Sequence, residues 1–390
     1  MEKVIIFGAG RYGNTAYHFY GNMCDIICYV DNNAQKWGTF LYDKEIVSPE
    51  VLRGFGGTVI IAVQNDVEKI EAELKNKYGI NQFLEFRVMQ RGKFLEVEQN
   101  FNSGSIVIEY AGGLGNQLFQ YSLARCLELN GCEVVADISS YLYINTRRFE
   151  LDRIFKSINF RYASAATREY YFMKDRISKV EGVDEKYIYA EPDITQYVQY
   201  GVSNDWRKVR RGIVEGYFQT YLFADEIRDD LLKRLKFPEI EERQLQLLVA
   251  EIHRNNSISV HVRRGDYLAE KERRLDEICD EKYYEKAIKM IMEKVKNPRF
   301  YVFSDDISWC KENIRIDEAS YIDSGMLEKY EDWYDMYLMS QCRHNIIANS
   351  SFSWWGAWLN ENEDKIVIAP KKWDNFCNLT NICPPDWDRL

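Results

Sequence analysis

Histidine is scarce in this chain. There are four in 390 residues, and none stands at ligand spacing from another, which excludes the common zinc constellations. The nine cysteines, at 24, 28, 126, 132, 279, 310, 342, 377 and 383, form no C-x-x-C pair. Cys28 sits in Ile26-Ile-Cys-Tyr-Val30, the setting of a buried strand residue. Reduced thiols in a cytoplasm are therefore expected. No apolar run reaches the roughly 18–20 residues of a membrane span, and the chain opens on no secretory leader, so at most peripheral contact with the inner membrane face is expected. Basic charge is in deficit: 51 Lys and Arg face 61 Asp and Glu, a net charge of −10, which excludes non-specific nucleic-acid binding. Internal repeats and low-complexity tracts are absent too. The length instead suits two or three domains, and 46% apolar residues with 14% aromatics are globular values.

What is present is a set of strands that end in polar, functional-looking turns. Ile106-Val-Ile108 leads into Tyr110-Ala-Gly-Gly-Leu-Gly-Asn-Gln117, and helical spacing follows over 118–129. A Gly-rich turn between strand and helix gathers backbone N–H groups and a helix N-terminus at one point, which suits a phosphate. Ile258-Ser-Val-His261-Val262 alternates like a strand and runs into Arg263-Arg264-Gly265-Asp266. Adjacent arginines past a strand end suit a diphosphate. Phe300–Ser304 ends in Asp305-Asp306. Asn345–Ala348 opens into Asn349-Ser-Ser351-Phe352-Ser353-Trp-Trp-Gly356, a hydroxyl-rich turn and helix start. Four such strand ends predict one crevice at the carboxyl edge of open α/β sheets.

These pieces resemble the α-1,2-fucosyltransferase family, glycosyltransferase family eleven. The resemblance lies in Gly-Gly-Leu-Gly-Asn-Gln at 112–117, His-Val-Arg-Arg-Gly-Asp at 261–266, Phe-Ser-Asp-Asp at 303–306, Asn-Ser-Ser-Phe-Ser-Trp-Trp-Gly at 349–356 and Glu215-Gly-Tyr-Phe-Gln219. It covers residues 105–390. It implies an α/β, GT-B-like two-lobed transferase, with 104–235 as the acceptor-side lobe and 236–390 as the donor lobe. It further implies GDP-fucose as donor, inversion at the anomeric carbon, a galactose-terminated glycan as acceptor, and no required metal or cofactor. By the same resemblance Gly113, Gly115, Asn116, Gln117, His261, Ser351, Phe352 and Ser353 are donor-binding candidates. Arg263 or Arg264 would neutralise the leaving diphosphate, Ser353 would hold phosphate oxygens, and Asp305 or Asp306 would hold the base. His344 and Asn345 are weaker base-pocket candidates. For the acceptor's proton, Asp266, Glu215 or a phosphate oxygen of the departing donor all remain open.

Residues 1–100 lie outside that resemblance. Val4–Phe7 reads as a buried strand, followed by Gly8-Ala-Gly10-Arg-Tyr-Gly13, a helix, and a second strand ending at Asp31. This is the dinucleotide fingerprint, although 100 residues supply only one mononucleotide-binding half. The segment resembles the small Rossmann-like modules that precede bacterial sugar acyltransferases. It is expected either to bind a nucleotide-type ligand at Gly8, Gly10, Gly13 and Asp31 or to mediate association; glycines serving only packing are the plainer alternative. Oxidoreductase chemistry through this module is the rival function. The polar stretch 90–105 is the expected linker.

Overall fold

The computed structural model describes the chain except residues 1–2, 21–23, 64–65, 87–103, 143–146, 164–166, 169, 173, 176–177, 179–185, 191–204, 270–273, 324, 326–329 and 376–380. Most of the expected linker thus lies outside the described residues. Three sheets follow one another along the sequence. The first runs β1 (Lys3–Phe7), β2 (Asp25–Val30), β3 (Phe40–Leu41), β4 (Lys44–Val47), β5 (Thr58–Ile61) and β6 (Phe83–Glu85), in spatial order β3-β4-β2-β1-β5-β6. The second holds β7 (Ile106–Glu109), β8 (Val134–Asp137), β9 (Ile188–Ala190) and β10 (Gly212–Glu215), ordered β8-β7-β10-β9. The third holds β11 (Asn256–Val262), β12 (Pro298–Ser304), β13 (Ser320–Ile322), β14 (His344–Ile346), β15 (Val367–Ala369) and β16 (Asp388–Arg389), ordered β13-β12-β11-β14-β15-β16. All pairings are parallel except β3 with β4.

Parallel strands buried on both faces need continuous apolar runs. Val4–Phe7, Ile106–Ile108 and Ile258–Val262 provide them and are buried throughout. Each sheet is drawn from one continuous stretch of the sequence, 3–85, 106–215 and 256–389. The second and third share one hydrophobic cluster, from Ile106 through Phe119 to Trp354 and Trp387. Phe119 packs on Trp354 and Trp355 with centroids 4.5 and 5.3 Å apart, so two of the quoted sequence motifs meet inside the protein. The result is the two-lobed α/β layout expected.

The order of the third sheet is the doubly wound 3-2-1-4-5-6. Its direction of winding reverses between β11 and β14, and ligands of such sheets bind beyond the carboxyl ends at that switch point. In the second sheet β7 and β10 are parallel neighbours, so their carboxyl ends lie side by side. No described helix is long and apolar enough to cross a membrane.

Candidate active site

At the switch point of the third sheet, β11 delivers Arg263 and Arg264, and the turn after β14 delivers Asn349–Ser353. The carboxyl ends of two neighbouring strands of the second sheet deliver Gly112–Gln117 after β7 and Gly216–Gln219 after β10. Two helices begin where these meet, Leu114–Leu129 and Ser351–Trp358. Their N-caps, Gly113 and Ser350, make no side-chain capping bond, and neither first turn contains an acid. A Cβ on Gly115 would stand 2.4 Å from the Ser351 carbonyl carbon and 2.6 Å from the Phe352 nitrogen. Only glycine lets the two helix starts approach this closely. Uncapped N–H groups and the positive ends of two macrodipoles converge there.

Three arginines and three aspartates surround this point. Arg263 grips Asp266 twice (Nε–Oδ1 2.8 Å, Nη2–Oδ2 2.8 Å) and reaches Asp305 at 3.0 Å. Arg264 donates its backbone N–H to Asp305 (2.9 Å) and lays its guanidinium over the Trp309 ring at 4.0 Å. Arg147, from the first lobe, donates to Asp266 at 3.0 Å. Burial alone would raise the Asp266 carboxyl, but Arg263, and then Arg147, hold it below the usual range. Asp306 caps the helix Ile307–Asn313 by accepting from the Trp309 N–H (3.0 Å), and Arg264 Nε approaches it at 3.4 Å. Both carboxylates expected to meet the base therefore already hold protein partners.

His261 lies beneath this cluster, 5% exposed. Burial, aided by Arg263, pushes its pKa down to about 3, so the imidazole is neutral. Its Nδ1 is buried without a hydrogen-bond partner. Several other expected residues are spent on structure. Ser353 is fully buried, and its hydroxyl turns back to the Ser350 carbonyl at 3.3 Å, the usual resort of a serine inside a helix. Only its backbone N–H stands at the helix start. Gln117 is also fully buried and bonds backbone: Gly112 O at 3.1 Å, Arg148 O at 2.9 Å and the Glu150 N–H at 2.8 Å. His344 and Asn345 open β14, at the end away from the crevice. His344 accepts from the Ile366 N–H (3.0 Å), and Asn345 bonds Ser259 (2.7 Å) and Met339 O (2.8 Å), so the expected base-pocket role does not fit their position.

Asn116 bonds side chains rather than backbone. Its side-chain oxygen accepts from Gln219 (2.8 Å), and the Gln219 oxygen accepts from the Trp373 indole (2.9 Å), a relay from one lobe to the other. Gln219 ends a tight turn in which Phe218 adopts φ of +52°, a strained conformation of the kind found at functional loops. At the head of that turn Glu215 stands in register with Glu109 of β7, which is itself in register with Asp137 of β8. Arg168 bonds Glu109 at 3.0 Å and also pairs with Asp137. Burial, with Glu215 and Asp137 nearby, holds the Glu109 carboxyl above its ordinary range against the pull of Arg168. Sequence reading missed Arg147, Gln219, Trp373 and the Glu109–Arg168 pair. Only Gln219, inside the quoted Glu215–Gln219 stretch, had any local signal.

The front loop is arranged differently. Asp31 accepts from the Ala9 and Asn33 N–H groups, each at 2.9 Å, and from Lys36 at 2.8 Å, while Lys36 also donates to Ala9 O at 3.2 Å. A Cβ on Gly13 would stand 1.8 Å from Gly8 O, whereas one on Gly10 would meet open space. Gly8 and Gly13 thus serve close packing, and Asp31, expected at a nucleotide-type ligand, is folded back onto the loop.

The sequence profile of glycosyl transferase family 11 matches residues 58–389, and that of a C2185-like N-terminal domain matches residues 1–83. The chain is 33% identical over 312 residues to the O-antigen biosynthesis glycosyltransferase WbnK of Escherichia coli, covering 72% of this chain and 98% of that protein. An alpha-1,2-colitosyltransferase of the same organism is 32% identical over 73% of this chain and 98% of its own length. A galactoside alpha-(1,2)-fucosyltransferase 2 of Rattus norvegicus is 28% identical over 43% of this chain and half of its own. Among solved structures, E. coli ADP-heptose LPS heptosyltransferase II aligns over 73% of this chain and 90% of its own, with 12% identity and a TM-score of 0.34.

Proposed function

Because the chain belongs to glycosyl transferase family 11, we propose that it moves L-fucose from GDP-fucose, with inversion, to the 2-hydroxyl of a galactose at the end of a surface glycan. The observation that carries this reading is the pair of uncapped helix starts meeting at Gly115 and Ser351 beside Arg263 and Arg264. Such a point stabilises an anion, and in glycosyl transfer the anion that grows in the transition state is the leaving diphosphate. Arg263, already partly desolvated, supplies a fixed guanidinium fork. Arg264 supplies a second cation, stacked and held on Trp309. The neutral His261 offers a ring nitrogen that neither adds to nor cancels the charge. Arginines and helix dipoles take the place a metal would otherwise fill, so no metal is required.

The acceptor hydroxyl must lose its proton as the bond to the anomeric carbon forms. Asp266 is a weak base, because two arginines hold it ionised. Glu215 is better placed: it ends β10 at the crevice wall, and among the described residues it meets no cation. Glu215 is therefore assigned as the base, and the row Asp137–Glu109–Glu215 as part of the acceptor-side wall.

The name of one relative, an alpha-1,2-colitosyltransferase, supports a second donor reading, transfer of colitose in the same linkage. One experiment separates the two. The purified chain is incubated with GDP-fucose or a colitosyl donor and an array of galactose-terminated acceptors, and the product linkage is determined. Fucose joined through the 2-hydroxyl supports the proposal. Transfer from the colitosyl donor alone replaces the donor, and no transfer to any galactoside refutes the acceptor.

A further inference from the structure

The fully buried Gln117 amide does more than hold its own turn. It bonds Arg148 O and the Glu150 N–H, the backbone on either side of Phe149, and so pins that segment against Gly112. Glu150 is fixed in turn by Arg153 (2.6 Å), which reaches Glu331 of the second lobe at 2.6 Å. The residue carried at the head of this braced segment is Arg147. Its Nη1 lies 3.2 Å from where a Cβ of Gly113 would be, directly at the cap of the helix Leu114–Leu129. Its Nη2 reaches across the crevice to Asp266.

Two features of this arrangement are unexplained by the ion pair. Arg147 and Asp266 are 45% and 42% exposed, and an exposed pair contributes little; a buried glutamine brace is more than it needs. The guanidinium also sits at the positive end of a helix, where a cation is unfavourable. Both features are accounted for if an anion enters between the guanidinium and the helix start. Two arginines from opposite lobes already converge on one carboxylate there, and Asp266 retains Arg263 if Arg147 leaves it.

We propose that Arg147 is the first lobe's ligand for the donor's diphosphate, parked on Asp266 until the anion arrives, and that Gln117 is the residue that positions it. The inference rests on the donor reading above and deepens it. The exchange of partners breaks no covalent bond. It replaces the direct link between the lobes with one through the leaving group, and a Cβ at Gly113 would press on the guanidinium from 3.2 Å.

The test is calorimetric titration of the full chain with GDP and with GMP, which lacks the second phosphate. Loss of one charge-assisted contact corresponds to roughly a 10- to 100-fold change. Arg147→Ala should weaken GDP by that factor and leave GMP unchanged, and Arg147→Lys should restore part of the loss. Gln117→Ala should lower GDP affinity without touching GMP, and should add nothing in the Arg147→Ala background. A merely structural glutamine would weaken both nucleotides. Wild-type GDP affinity in Arg147→Ala overturns this inference alone, whatever Gln117→Ala does. A wild-type chain that binds neither nucleotide overturns it together with the donor reading.

Discussion

The chain contains two strand–glycine–helix turns, Gly8–Gly13 and Gly112–Gln117, and they end in opposite states. In the front turn Asp31 takes the Ala9 N–H and Lys36 closes over the Ala9 carbonyl, so the loop's polar groups are met from within. In the second turn the helix start has no capping side chain, and the nearest charges are arginines. The glycines do different work as well. Gly13 lets a helix approach its own strand, and Gly115 lets one lobe approach the other. A Gly-rich turn is a candidate anion site only where the following residues leave it empty and surround it with cations. The spacing of glycines does not report that.

The largest expected contrast is in turnover. Arg263→Ala removes a charge-assisted contact to a developing diphosphate, worth about 2–4 kcal/mol, or roughly 30- to 1000-fold. Asp31→Ala in the other turn should leave initial rates with GDP-fucose unchanged. Equal losses from both would erase the distinction drawn between the turns.

The matched glycine changes sharpen it. Gly115→Ala and Gly13→Ala each force a Cβ into backbone, at 2.4 and 1.8 Å, and overpacking of this kind costs about 1–3 kcal/mol. Scanning calorimetry should find both variants less stable. Only Gly115→Ala should also slow transfer, because it moves the Ser351 helix start.

Electrostatics separates the two regions more gently. Asp31 is held below its ordinary range, because Lys36 and the Asn33 and Ala9 N–H groups outweigh the effect of burial. A depressed carboxyl stabilises the fold above its unfolded value of about 3.9 and loses that contribution as pH falls through the folded value. Glu109 is the reverse case. Raised chiefly by burial, it stabilises below about 4.3 and loses that contribution as pH rises through its folded value. Relative to wild type, Glu109→Gln should therefore gain in melting temperature between pH 4 and pH 8, whereas Asp31→Asn should be less stable at pH 7 and converge with wild type below pH 4. A smaller effect still is expected from chelation. Transfer should persist in EDTA, and complete loss restored by Mn²⁺ or Mg²⁺ would refute the arginine-based account of charge neutralisation.

Much of this architecture was legible in the sequence because it is local. Apolar runs marked β1, β7, β11 and β12, and several of the residues just past their ends come together between the second and third sheets. The distant partners left no such signal. Arg147 meets Asp266 across 119 residues, and Gln219 meets Trp373 across 154; neither pair has periodicity or spacing to read. Ser353 and Gln117 were legible as special but not in role. A helix turn can aim a hydroxyl or amide at ligand or back at its own chain, and packing decides which. Asp31 shows the same ambiguity, since an acid twenty residues past a Gly-rich turn can reach a ribose or fold onto the loop.

The donor site proposed above lies wholly between the second and third sheets and takes nothing from the front module. The direct test is to titrate GDP by calorimetry into the full chain and into a chain that begins at Asn102 and is shown by circular dichroism to be folded. Equal affinity in the two is the predicted result. A soluble, folded shortened chain that binds no GDP would contradict the claim and return the donor to the Gly8–Gly13 turn.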